Sequence, residues 1–160
     1  GVALIPAFTG LGPPSWKANA RAAFIGINAS TTKKQIVRAA LESVAFQMVV
    51  YLEFLQRDNK FKLKNLIVDG GMIKNKLFLQ MIADLLKIEI MVPEIEEMSL
   101  YGALLFGIQQ QKNISELRDL NKFAVKRKAI KYQENQGLQR SFQHWKKIID
   151  IYFISNQEKN

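Results

Sequence analysis

The chain has 160 residues, of which 48% are hydrophobic and 23% charged, and it contains no cysteine. This length suits one domain with a single core, and the composition excludes a disordered or fibrous protein. The lack of cysteine excludes disulfides and thiolate chemistry, and it favours a cytoplasmic location. The net charge of +9 is spread along the chain, which favours a lysine-rich solvated surface over a nucleic-acid partner.

The sequence predicts no membrane partner, because no apolar run approaches the ~18 residues that cross a bilayer. The chain opens directly on an apolar segment without an initiator methionine. We therefore expect it to be a piece of a longer protein.

The first predicted elements are a strand, a loop and a long helix. Residues 2–6 predict a buried strand, and the glycines and prolines over residues 8–28 predict a long ordered loop. Thr32 and Gln35 fit a capping box, in which each side chain satisfies a backbone N–H of the other residue. Apolar residues then recur one helical turn apart until about Arg57, which predicts a helix with a broad buried face.

Strands and helices alternate in the next part of the chain. Residues 65–68 and 89–92 predict buried strands, and helices are predicted over residues 74–87 and from 99 to about 110. This order implies βαβ connections and a parallel sheet flanked by helices, which is an α/β fold. The helix that begins at residue 99 is expected to bury a stripe of apolar residues and glycine. They are Leu100, Ala103, Leu104, Gly107 and Ile108.

A polar, basic stretch follows residue 111 and leads to a last helix, predicted from about residue 137 to 152. Its apolar face is expected to dock on the rest of the domain. That face consists of Phe142, Trp145, Ile149 and Tyr152.

Several acidic residues are candidates for functional groups. Glu42 lies within the buried face of the long helix, where a hydrogen bond to local backbone is favoured over a functional role. Glu94, Glu96 and Glu97 lie close together without a nearby histidine, which favours a solvated cluster over a metal site. The sequence predicts no metal ligand.

The strand over residues 65–68 ends in an Asp-Gly-Gly turn that leads into a helix. Such a turn brings backbone N–H groups and the positive end of a helix dipole together. Without side chains at Gly70 and Gly71, a flat ring or a phosphate can approach the backbone closely. Asn75 falls in the first turn of the helix, where its amide can hydrogen-bond a purine or a ribose. Taken alone the pattern favours a simple tight turn, and it is not a Walker phosphate loop.

Four segments of the chain resemble, in the same order, motifs of the FGGY family of carbohydrate kinases. They are PAFTGLGPP at 6–14, RAALESVAFQ at 38–47, VDGG at 68–71 followed by Asn75, and Pro93-Glu94 with Glu97 and Gly102-Ala103. The corresponding family patterns are PAFxGLGAP, RAxLESIAFQ, VDGGxxxN and RPxxxExTALGAA. The similarity is colinear from residue 2 to about 107, and its first motif favours the glycerol kinase branch.

The resemblance implies an α/β fold that is part of an actin-like (ribonuclease H-like) ATPase domain, with a C-terminal helical tail. Residues 1–112 are expected to form the ATP-side part of the family's C-terminal domain. Residues 113–160 are expected to form a basic linker and a helix that packs on the same domain.

The resemblance also implies ATP and Mg²⁺ as cofactors. It assigns Gly70, Gly71, Met72 and Asn75 to contact with the adenosine, and Asp69 to structural support of the turn. In this chain Met72 replaces the alanine that the family usually has after the two glycines. The family's catalytic Asp is expected upstream of this chain and the Mg²⁺ ligands outside it, so no catalytic residue is expected within the chain.

The implied reaction is transfer of the γ-phosphoryl of Mg-ATP to a hydroxyl of glycerol or a related polyol by a longer cytoplasmic parent. A homo-oligomeric parent is a further expectation. The small-molecule substrate is expected to bind an N-terminal domain outside this chain, and the isolated chain is expected to be inactive. Two alternatives stay open. The parent is another sugar kinase of the family, such as a pentulose kinase, or the chain is a non-catalytic remnant that binds nucleotide or a partner.

Overall fold

A computed structural model of the chain describes residues 1–111 and 123–157. The elements in chain order are β1 (Ala3–Ile5), β2 (Ala23–Ile25), α1 (Lys33–Asp58), β3 (Asn65–Ile67), a 3-10 helix (Gly71–Lys74), α2 (Lys76–Leu86), β4 (Glu89–Pro93), α3 (Met98–Gln111), β5 (Arg127–Ile130) and α4 (Gln136–Gln157). The predicted boundary between residues 112 and 113 lies outside the described residues.

The long helix α1 begins at the predicted capping box. The Thr32 backbone N–H donates to Gln35 Oε1 at 2.7 Å, and the Gln35 backbone N–H donates to Thr32 Oγ1 at 3.4 Å. The predicted partner of Glu42 is wrong, because its carboxylate accepts from Arg38 Nε at 2.7 Å instead of from backbone. Residues four apart lie on the same helix face, so the guanidinium reaches the carboxylate directly.

The strands form two small sheets. β1, which was predicted, pairs with β2 in antiparallel register, with Leu4 opposite Phe24. β2 lies inside the segment for which the sequence predicts only a loop. The second sheet has the order β3-β4-β5. β3 and β4 are parallel and are connected through α2, as predicted, whereas β4 and β5 are antiparallel. β5 was not predicted because its basic, mostly exposed sequence lacks an apolar alternation.

The core lies where α1, α2, β4 and α4 meet. Phe46 of α1 packs against two rings of α4, with centroid distances of 5.2 Å to Phe142 and 5.6 Å to Trp145. Ile82 of α2 and Ile90 of β4 are fully buried in the same cluster. The predicted apolar face of the last helix therefore contacts the core through Phe142 and Trp145.

Within the described residues, α1 is the one helix that is long and apolar enough to pass a length-and-hydropathy test for a membrane span. The buried core helix of a soluble protein passes the same test. Ala45, Phe46 and Val49 of α1 are buried in the core. Arg38 and Glu42 form their ion pair near the start of the helix.

The predicted buried stripe of α3 is wrong. No residue of α3 is buried, and Leu100 and Leu104 are 70% and 57% exposed. Helical periodicity identifies an apolar face, but it does not show whether another element covers that face. The pattern therefore predicted the helix correctly and its burial wrongly.

Candidate functional site

The Asp-Gly-Gly turn directly follows the carboxyl end of β3. The Val68 backbone N–H donates to the Met91 carbonyl at 3.2 Å, which extends the pairing with β4 by one residue. The chain then turns at Gly70, whose φ of 96° and ψ of 175° lie in a region that only glycine adopts readily. The Ile73 backbone N–H donates to the Gly70 carbonyl at 3.1 Å and closes the 3-10 turn.

The structure explains glycine at position 70 but not at position 71. A Cβ added at Gly70 or at Gly71 meets no atom within 4 Å in the described part of the chain. The backbone conformation requires glycine at position 70, but it makes no such demand at position 71. Neither internal packing nor local strain accounts for Gly71. Glycine at this position leaves the backbone open to close approach by a ligand.

Asn75 joins the turn to α2. Its backbone N–H donates to the Met72 carbonyl at 3.0 Å, and its side-chain Oδ1 accepts from the Phe78 backbone N–H at 3.0 Å. Asn75 is therefore the N-cap of α2, which begins at Lys76 and not near residue 74 as predicted, because the 3-10 turn occupies the intervening residues. Its Nδ2 group has no hydrogen-bond partner among the described residues and remains available as a donor.

An apolar cavity of about 330 Å³ adjoins the turn. Met72 lines it and is half-exposed, so its thioether can contact a flat ring that enters the cavity. Asp69 also lines the cavity. Its side chain makes no hydrogen bond or ion pair with the described residues, so backbone bonds, and not the predicted carboxylate support, close the turn.

Charged groups flank the turn on its solvent side. Lys74 Nζ lies 2.8 Å from Glu96 Oε2, and both side chains are exposed. The hydrogen bond that Lys74 donates to Glu96, followed by the negative charge of Glu96, raises the pKa of Lys74 above its ordinary value. Glu94 similarly pairs with Lys128 at 3.5 Å, in agreement with the solvated cluster predicted here. Among the described residues, no group of three or more Asp, Glu, His or Cys side chains is placed to hold a metal ion.

A second polar cluster lies at the other end of α2 and was not predicted. Asp84 is only 4% exposed, and its Oδ1 accepts from Gln80 Nε2 at 2.7 Å and from the Gln133 backbone N–H at 2.8 Å. Gln80 Nε2 also donates to the Lys131 carbonyl at 3.0 Å. These bonds tie α2 to the segment after β5, a structural role. The signal in the sequence was an acidic residue on a helix that is otherwise apolar.

Comparison with protein families shows which family contains this turn. Residues 1–110 match the model of the C-terminal domain of the FGGY family of carbohydrate kinases. The chain belongs to this family. The Asp-Gly-Gly turn, the 3-10 helix and Asn75 all lie within the matched region.

The similar proteins of the FGGY family include several glycerol kinases. The chain is 38% identical over 152 residues to the glycerol kinase of Haemophilus influenzae, covering 93% of this chain and 30% of that protein. It is 48% identical over 103 residues to the glycerol kinase of Deinococcus radiodurans, covering 64% of this chain and 21% of that protein. The chain thus spans less than a third of the length of these relatives.

Solved structures of the family share the fold. The glycerol kinase of Plasmodium falciparum with ADP superposes with a TM-score of 0.80 at 30% identity, covering 93% of this chain and 30% of that one. The ligand-bound xylulose kinase of Lactobacillus acidophilus superposes with a TM-score of 0.75 at 21% identity, covering 99% and 33%. The latter likeness concerns the fold alone. Together they establish the predicted α/β, actin-like architecture.

Proposed function

We propose that this FGGY chain supplies the adenosine-binding turn of a longer, glycerol-kinase-like enzyme. The observation that carries the proposal is Gly71, a glycine that neither packing nor backbone conformation requires, beside a free Asn75 donor. The similar Plasmodium falciparum glycerol kinase was solved with ADP, which supports a nucleotide as the ligand.

Each residue of the turn has a distinct part in this proposal. Gly70 and Gly71 leave the backbone open, so the nucleoside can lie against the N–H groups at the start of the 3-10 helix. Asn75 keeps Oδ1 in the α2 cap and offers Nδ2 to a purine or ribose acceptor. Met72 provides an apolar contact for the face of the base.

The phosphoryl chemistry is proposed to lie in the rest of the parent protein. The bound nucleotide would supply the transferable phosphoryl group, while this chain holds and orients the adenosine. Following the family resemblance, we propose that the Mg²⁺ ligands and the catalytic Asp lie in sequence outside this chain. We further propose a cytoplasmic, homo-oligomeric parent and an isolated chain without kinase activity.

Glycerol is the proposed substrate of the parent in preference to a pentulose. The glycerol kinase of Haemophilus influenzae is 38% identical over nearly the whole chain, whereas the xylulose kinase of Lactobacillus acidophilus is 21% identical. The substrate would bind through the part of the parent that this chain does not span.

A matched pair of substitutions tests the adenosine site. Asn75→Asp keeps an oxygen that accepts from Phe78 and so keeps the cap, but it removes the amide donor. Asn135→Asp makes the same change at the cap of α4, where Asn135 Oδ1 accepts from the Leu138 backbone N–H at 3.0 Å. Both variants should fold.

The measurement is an ADP titration of the chain and of both variants by calorimetry. We expect Asn75→Asp to weaken ADP binding roughly tenfold through loss of one hydrogen bond, and Asn135→Asp to leave it unchanged. Equal affinity of all three proteins would refute the assignment of Asn75. A separate assay of the complete parent distinguishes an enzyme from a non-catalytic remnant. Glycerol-dependent consumption of ATP would show an enzyme, and its absence would indicate a remnant.

A further inference from the structure

A cavity of about 200 Å³ is enclosed by the loop at residues 11–15 and by α1 and α4. Its apolar wall includes Leu11, Trp145 and Ile149. Leu11 belongs to a small buried cluster beside the main core, Trp145 belongs to the core itself, and Ile149 packs against both. An apolar cavity of roughly 150 Å³ takes up benzene, so this space suits one six-membered ring or a branched alkyl group.

Three polar side chains also line this cavity and keep free hydrogen-bonding groups. Gln47 of α1 is partly buried, and its side-chain amide bonds to no residue that the structure describes. The Asp150 carboxylate likewise has neither an ion pair nor a hydrogen bond in the described part of the chain. Lys146 Nζ lies 3.8 Å from Glu53 Oε2, which is beyond hydrogen-bond distance, so its donors stay available.

The two charges of α4 stay apart although their spacing would let them pair. Lys146 and Asp150 are one helical turn apart, with Cβ atoms roughly 5–6 Å from each other. Lys146 instead approaches Glu53 and the ring of Phe142, whose centroid lies 4.4 Å from Nζ. Gln47 can both donate and accept beside them. The cavity therefore matches a ligand that carries a cationic and an anionic group next to an apolar body.

We propose that this cavity binds a free amino acid with an apolar side chain. The side chain occupies the space against Trp145 and Ile149, where it leaves water. The α-ammonium group pairs with Asp150, the α-carboxylate pairs with Lys146, and Gln47 hydrogen-bonds either group. A few polar groups beside an apolar wall orient a ligand in this way. The cavity shares no residue with the glycine turn, so the proposal does not rest on nucleotide binding.

An NMR titration of the chain with L-phenylalanine tests the proposal. The Trp145 indole N–H resonance reports binding, because this ring lines the cavity. We expect it to shift with a dissociation constant on the order of 1 mM, as suits so small a ligand. Phenylpropionate lacks the ammonium group and phenylethylamine lacks the carboxylate, so each should bind about fivefold more weakly. No shift up to about 20 mM L-phenylalanine, or equal binding of the three compounds, would overturn the proposal.

Two variants separate charge recognition from damage to the cavity. Asp150→Asn should weaken L-phenylalanine binding about fivefold and leave phenylpropionate unchanged, because that compound has no ammonium group. Lys146→Gln should weaken L-phenylalanine binding likewise and leave phenylethylamine unchanged. Lys147→Gln is the matched control, since Lys147 lies on the same helix but lines a different groove, and it should change none of these affinities. Equal losses for L-phenylalanine and for the analogue in either variant would overturn the assigned charge contacts.

Discussion

Trp145 Nε1 of α4 donates a hydrogen bond to the Leu4 carbonyl of β1 at 2.8 Å, across 141 positions of the chain. Both residues are buried, so the bond is shielded from water. It joins the last helix to the first strand, and the same tryptophan ring packs against Phe46. The tail helix is thereby part of the core that supports the glycine turn.

Trp145→Phe should destabilise the chain by about 1–3 kcal/mol, because it leaves the buried Leu4 carbonyl without its donor. Urea unfolding measures the change in the free energy of unfolding. Trp16→Phe is the matched control, since Trp16 is 74% exposed, and it should change stability by less than about 0.5 kcal/mol. Equal effects of the two substitutions would show that the Trp145 bond contributes nothing.

Asp84→Ala should lower the free energy of unfolding by about 2 kcal/mol, because the Gln133 backbone N–H and Gln80 Nε2 lose the buried carboxylate that accepts from them. Hydrogen exchange of the Gln133 amide should become faster in the variant. The control is Asp69→Ala, since Asp69 is exposed and has no side-chain partner among the described residues, so stability should stay within about 0.5 kcal/mol. An unchanged Gln133 exchange rate would contradict the bridging role of Asp84.

Alanine at the two turn glycines should separate folding from binding. Gly70→Ala should destabilise the chain by about 1–3 kcal/mol, because alanine is strained at a φ of 96°. Gly71→Ala should be nearly neutral for stability, since its Cβ meets no atom, but it should weaken ADP binding. Thermal unfolding and ADP calorimetry measure the two effects. A Gly71→Ala variant with unchanged ADP affinity would argue against ligand approach at this glycine.

Glu96→Gln should lower the pKa of Lys74 toward its ordinary value of 10.5, because the variant removes the main cause of the raised pKa. A raised folded-state pKa adds stability that is present below the ordinary value and is lost as the pH rises through the folded value. At neutral pH this stabilisation is therefore present, but it is small because both side chains are exposed and screened by solvent. NMR titration of the Lys74 side chain measures the pKa, and an unchanged value would contradict the pairing.

Local signals in the sequence predicted much of the fold. The capping box at Thr32 and Gln35 placed the start of α1, and the apolar run before Asp69 placed β3. These features depend on neighbouring residues, which a sequence displays directly. β5 was missed because an edge strand needs no apolar pattern, and α3 was given a buried face because periodicity does not show what covers a helix.

Part of the candidate site was predictable because it also consists of neighbouring residues. The glycine turn and Asn75 stand in the sequence as a motif. The difference between Gly70, required by its φ, and Gly71, free of any such demand, appears only in three dimensions. The division of Asn75 between a capping oxygen and a free amide donor likewise depends on the 3-10 turn that precedes α2.

The most direct test of the adenosine site is an NMR titration of the isolated chain with millimolar ADP, following the backbone amides and the Asn75 side-chain amide. We predict that the largest shifts fall on Gly70, Gly71 and Asn75 and that they are reduced in Asn75→Asp. Shifts centred elsewhere, such as on the groove lined by Arg140 and Lys147, with the turn unmoved, would contradict the account.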